Sequence, residues 1–209
     1  MSQLQLQTNT QTRTTLIQVL LVSGGFLLIV YTLIDWLTLE RTLYTGYTER
    51  HFHDYIIFLG WLFFSLSFYL LRSWVFKEGL LLRKGVLAIS VGLFFITFAY
   101  FFNGWIDGIS FPGFVITYYP GTLITSLGII GCIFSPINSS QFDLPLSKSI
   151  LIVILLLLLL SCFLPIYYFS SNNDKSTATI IRSIGHILLG AVFIVAGFLL
   201  KKNNIRNNA

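Results

Sequence analysis

Charge is what this sequence has least of. Only 10% of its 209 residues are Asp, Glu, Lys or Arg, against 55% apolar, where a water-soluble domain carries charge at about 25% of its positions. A sizeable soluble domain is excluded on that ground. With a mean hydropathy of +0.80, the apolar residues stand in blocks of roughly twenty, the length that crosses a bilayer core, and little chain is left over. Cysteine is scarce as well. Cys132 and Cys162 fall in separate apolar blocks, near the inner end of one and in the outer half of the next, a geometry that disfavours a disulfide. Catalytic signatures are missing: there is no H-E-x-x-H, no G-x-S-x-G, no Walker-type phosphate loop and no C-x-x-C. Familiar membrane hydrolases and ATPases therefore have no support, and no cofactor is assigned.

What is present is a pattern of long apolar blocks. It predicts an all-α, polytopic integral membrane bundle of six transmembrane helices at 16–37, 55–76, 86–106, 114–135, 149–169 and 180–200, each long enough for about 30 Å of hydrocarbon at 1.5 Å per residue. A barrel would show strands of about ten alternating residues instead. Residues 1–15, rich in Gln and Thr, read as a disordered tail, 16–200 as the transmembrane domain, and 201–209 as a basic tail. The first block is span-length with a thin basic flank and no A-x-A site, so it reads as a first helix rather than a signal peptide. The fifth, with its run of Ile, Val and Leu over 150–160, is apolar on every side, so periodicity assigns it no buried face.

Orientation follows from the basic residues. With the N-terminus inside, nine of the thirteen Lys and Arg lie on the inner side and four, Arg41, Arg50, Lys175 and Arg182, on the outer. That bias places both termini in the cytoplasm. It also accounts for the net charge of +5 without a polyanionic partner, so nucleic acid is not an expected ligand. The sequon Asn138-Ser139-Ser140 falls on the inner side and is discounted.

Polar and small residues within the spans form seams at helical spacing. The first span has Gln18, Gly25 and Thr32. The third has Ser90, Thr97 and Gly104, the fourth Gly121, Thr125, Gly128 and Cys132, and the sixth His186, Gly190 and Gly197. Close helix packing explains such seams without chemistry, because small and hydroxyl residues let transmembrane helices approach.

The ionisable groups suggest something sharper. Asp35, Asp54, Asp107, Arg182 and His186 all gather towards the outer leaflet in this topology. Most sit at span ends, where water reaches them, but His186 lies about 9 Å deep by the helical rise and needs a partner or a cavity. The expected site is an outward-facing polar cleft between the first, third and sixth spans, formed by Asp35, Asn103, Asp107, Arg182 and His186, with Arg182 paired to Asp35 or Asp107. His51, His53 and Asp54 offer a weak metal-ligand set at the mouth of the second span; solvated loop residues are the better explanation of them. A bis-histidine haem is disfavoured, since His186 is the only histidine within a span. Trp36, Trp105, Tyr118, Tyr119, Tyr167 and Tyr168 at outer boundaries and Trp74 at an inner one read as interfacial anchors.

The function these features favour is a subunit or accessory component of a membrane assembly, partnered by the lipid bilayer and by other membrane subunits, in a prokaryotic plasma membrane. Two alternatives stay open: a small transporter using the outer cleft, and a membrane-embedded enzyme acting on lipid or using a bound metal.

Overall fold

The computed structural model describes residues 3–45, 54–72, 80–105, 110–135, 148–170 and 175–206, with side chains described over 12–36, 55–72, 80–101, 116–135, 152–163, 180 and 183–198. It is all-helical: α1 (Gln3–Thr45), α2 (Asp54–Leu71), α3 (Leu80–Trp105), α4 (Ser110–Phe134), α5 (Lys148–Ser170) and α6 (Lys175–Arg206), with no strand among the described residues. Three helices carry a stretch long and apolar enough to cross a membrane, Thr12–Trp36, Leu80–Phe101 and Ile116–Phe134. The other three carry shorter apolar stretches, Tyr55–Leu71, Ile152–Phe163 and Ser183–Phe198.

Helix boundaries depart from the apolar blocks at both ends of the chain. α1 begins at Gln3, inside the segment expected to be a disordered tail, and α6 runs to Arg206, into the basic tail. The reason is local. Gln and Leu are good helix formers, and no proline stands between residues 3 and 45 to stop a helix that the adjoining apolar stretch has nucleated. α4 runs unbroken past Pro120, which removes one backbone hydrogen bond but does not end the helix.

The six helices form a closed ring in chain order. Each packs against the next, and α6 returns to pack against α1. The closest approaches occur where glycines face each other. A Cβ built on Gly25 of α1 would lie 2.5 Å from the carbonyl oxygen of Gly190 on α6, and one on Gly190 would lie 2.7 Å from that of Gly25. On the α3–α4 side the same relation joins Gly92 to Gly121 and Gly85 to Gly128, with Thr125 Oγ1 against the Gly92 backbone. The small-residue seams are therefore packing surfaces, since only glycine leaves room for backbones this close.

α2 and α3 are joined by hydrogen bonds instead. Ser65 Oγ donates to the Ser90 carbonyl and Ser90 Oγ donates to the Ser65 carbonyl, each at 2.9 Å. This reciprocal clamp satisfies both hydroxyls within the ring, as a low-dielectric interior demands.

Every helix turns large apolar side chains outward. Phe26 of α1, Leu66 of α2, Phe94 of α3, Leu127 of α4, Val153 of α5 and Phe198 of α6 are all exposed, and Leu127 reaches 60%. The buried residues lie on the opposite faces, for example Ile17, Leu21, Leu28 and Tyr31 along α1, at the three-, four- and seven-residue steps of one helical stripe. An apolar belt all round the ring is untenable in water and natural in lipid.

The glycine contacts make a direct prediction. Gly25→Ala forces a methyl group against a backbone carbonyl and should destabilise the protein by about 1–3 kcal/mol, the usual cost of overpacking. Gly131→Ala is the matched control. Its Cβ would meet nothing closer than 3.7 Å, so it should be neutral or gain about 0.5–1 kcal/mol of helix stability. Thermal unfolding in detergent measures both, and equal midpoints for the two variants would contradict the packing described here.

Candidate functional site

His186 on α6, 1% exposed, is the most buried of the described Asp, Glu, Lys, Arg and His side chains. Its imidazole lies between two aromatic rings. Tyr31 of α1 meets it at a centroid distance of 6.2 Å and a tilt of 55°, and Trp61 of α2 meets it edge-on at 6.3 Å and 77°. The aromatic column continues along the bundle. Trp61 packs edge-on against Phe64 at 5.9 Å, and Phe64 stacks on Phe193 of α6 at 4.2 Å and 27°. Phe68 closes the column against Phe193, edge-on at 6.2 Å.

Sequence spacing explains this column. His186 and Phe193 are seven residues apart and share a face of α6, while Trp61, Phe64 and Phe68 follow at three- and four-residue steps on α2. Gly190 lies between His186 and Phe193 and brings α1 close enough for Tyr31 to reach the imidazole. The seam that closes the ring therefore also builds the walls of the histidine's pocket.

Not all polar atoms nearby are satisfied. Trp61 Nε1 on α2 and Ser183 Oγ, three residues before His186 on α6, are sealed from solvent and make no hydrogen bond. An unsatisfied buried donor costs about 1–3 kcal/mol. On α4, Thr125 Oγ1 and Ser135 Oγ are in the same condition.

Most of the other buried hydroxyls, and the half-buried Ser126, are engaged structurally. Thr32, Ser67, Thr97, Thr122 and Ser126 each donate to the carbonyl four residues earlier on their own helix, at 2.7–3.0 Å. Between helices, Tyr118 Oη donates to the Cys162 carbonyl at 2.9 Å. Ser161 Oγ donates to the Gly185 carbonyl at 3.4 Å. The two cysteines are free thiols, both buried.

Of the residues expected to form the cleft, His186 is buried, and among the described residues α3 packs against α2 and α4 but not against α1 or α6. The third wall around the imidazole is α2, through Trp61. Asp35 is partly buried on α1, one turn beyond Tyr31. The side chains of Asn103 and Arg182, together with Asp107, lie outside the described residues, and with them the expected pairing of Arg182. His51 and His53 also lie outside, as does the side chain of Asp54, with which α2 opens. No three His, Cys, Asp or Glu residues converge among the described ones.

Two aromatic residues differ from the interfacial pattern. Tyr118, read as a boundary anchor, is fully buried, because it falls within α4 on the face turned to α5, where its hydroxyl finds the Cys162 carbonyl. Trp61 was a detectable signal that charge and histidine counting passed over. It is a tryptophan well inside a span rather than at an end, and an indole N–H needs a reason to be there.

Comparison with known protein families, characterised proteins and solved structures finds no match to this chain.

The two kinds of hydroxyl should respond differently to removal. Ser65→Ala loses a satisfied interhelical bond and should cost about 0.6 kcal/mol, at most about 1.7. Ser183→Ala removes a hydroxyl with no hydrogen-bond partner and should be neutral or stabilising by up to roughly 1 kcal/mol. Unfolding midpoints in detergent rank the pair, and a Ser183→Ala protein weaker than Ser65→Ala would overturn this assignment.

Proposed function

We propose that this chain is a six-span integral membrane protein with both termini on the cytoplasmic side of a prokaryotic plasma membrane, where it serves as a subunit or accessory component of a larger membrane assembly. The six-span reading draws support from the ring. The three shorter apolar stretches stand between and beside the three long ones, and their outward faces carry the same kind of apolar side chains. A helix that shares a bundle shares its depth in the bilayer.

The observation that carries the assembly reading is the disposition of the buried hydroxyls. Seven of the described ones, together with the half-buried Ser126 and the Tyr118 phenol, bond to backbone carbonyls within a helix or across a helix pair, against three that do not, and the histidine is enclosed by aromatic rings. A solute pathway requires polar groups facing water, and a catalytic centre requires reactive groups facing a substrate. A rigid body for holding other subunits requires neither. Its natural partners are lipid on the apolar belt and membrane proteins of similar depth.

Isolation from native membranes in a mild detergent should yield a stoichiometric membrane partner. A lone monomer that carries solute flux in liposomes would refute the assembly role. The topology has its own check. Cysteines introduced as Lys77→Cys and Ala209→Cys should react with an impermeant thiol reagent from the same face of sealed vesicles, and labelling from opposite faces would defeat the even number of crossings.

A further inference from the structure

The hydrogen bonds that join α2 to α3 also place charge at one end of the pair. Ser65 and Ser90 each donate to the other's carbonyl at 2.9 Å, so they stand level on the faces that the two helices turn to each other. Seven residues beyond Ser65 on α2 is Arg72, and seven residues before Ser90 on α3 is Arg83. A step of seven is two turns and returns to the same face. The helical course holds as far as Arg72, whose amide donates to the Phe68 carbonyl at 3.1 Å. Two arginines therefore stand level on the mutual faces of an antiparallel helix pair, about 10 Å beyond the serine clamp at 1.5 Å per residue.

Their surroundings are apolar. Arg72 and Arg83 are both half-buried, whereas Arg13 and Lys84 are exposed. Arg83 lies three residues inside the apolar stretch that begins at Leu80. Exposed apolar side chains flank this level on both sides, Leu80 and Leu81 towards the helix end, Leu66 and Val91 deeper along the pair. The opposition of Gly24 to Gly60 sets the Arg13 end of α1 at the level of Arg72. Among the described side chains the single acid is Asp35, at the other end of the α1 span. Cations on facing sides repel, and an anion whose oxygens reach both turns that repulsion into attraction. Phosphate suits two guanidinium forks, since each can take two of its oxygens.

We propose that the α2–α3 joint binds an anionic phospholipid, its phosphate held between Arg72 and Arg83 and its acyl chains lying along the apolar belt. The proposal rests on the six-span reading, which brings this end of α2 to a bilayer surface. The flanking apolar side chains favour an amphiphile over a small soluble anion, because acyl chains cover them. A zwitterionic lipid is disfavoured, because its ammonium group brings a further cation towards Arg72, Arg83 and the adjacent Lys84.

The full-length protein in a mild detergent is titrated with phosphatidylglycerol, phosphatidylcholine or inorganic phosphate, and bound lipid is counted by native mass spectrometry. The first phosphatidylglycerol should bind at least about tenfold more tightly than phosphatidylcholine. Arg72→Gln and Arg83→Gln should each weaken it roughly 5- to 10-fold, and Arg13→Gln, at the same end but off this joint, by less than about twofold. Thermal unfolding without lipid checks that the variants fold. If a neutral variant does not, Arg72→Lys keeps the charge and should still cost about threefold, because an ammonium does not form the two-pronged bond. Millimolar inorganic phosphate should displace little of the lipid. Equal binding of the two lipids, equal losses at Arg13 and Arg72, or full displacement by inorganic phosphate would overturn the site. Labelling of Lys77→Cys and Ala209→Cys reports topology separately, so lost lipid selectivity in a chain that labels from one face refutes the lipid site alone.

Discussion

The contact on which the rest of this structure depends is the approach of the α1 backbone to that of α6 at Gly25 and Gly190. A chain of six helices joined in sequence brings neighbours together at low entropic cost, but nothing in that connectivity makes the last helix meet the first. Two facing glycines allow it. They replace side-chain contact by backbone contact, which is the form of packing that retains value in lipid. Once α6 is seated on α1, His186 and Phe193 are directed at α2, and the aromatic column from Tyr31 to Phe68 has its third wall.

The ring divides its polar groups by this logic. Hydroxyls on helix faces bond to carbonyls one turn back, and those at joints bond across, so few donors are left over. Two of the exceptions, Trp61 Nε1 and Ser183 Oγ, stand on the helices that enclose the buried imidazole, and two more, Thr125 Oγ1 and Ser135 Oγ, lie on α4.

Much of the fold was legible before any coordinates. The seams at Gly25, Gly121, Gly128 and Gly190 were visible as small residues at helical spacing, and they are the joints. That His186 stands six residues inside an apolar block was equally visible. Its surroundings were not, because charge and topology point to Asp35 and Arg182 at the helix ends and say nothing of an aromatic residue facing it from α2. Trp61 carries no charge and sits in a run of aromatic residues, so it resembles lipid-facing bulk until the helix is placed. The ends of α1 and α6 lie beyond the apolar blocks for a simpler reason. Hydropathy marks where a helix can enter lipid, whereas a helix itself ends where capping or a breaker ends it.

Composition and spacing alone determined that this chain is helical and apolar, that its small residues lie on faces meant for other helices, and that His186 falls within an apolar block rather than at its end. These are properties of single segments, set by local hydrophobicity and by the 3.6-residue period. Only the tertiary structure decided which faces meet: that α6 closes on α1, that Trp61 and Tyr31 enclose the imidazole, and that α5, apolar on all sides, turns Leu155 and Leu158 inward and Leu156 and Leu160 outward. A helix with no amphipathic pattern has no preferred rotation of its own, so its orientation is supplied by the neighbours that reach it, through one tyrosine and one serine hydrogen bond.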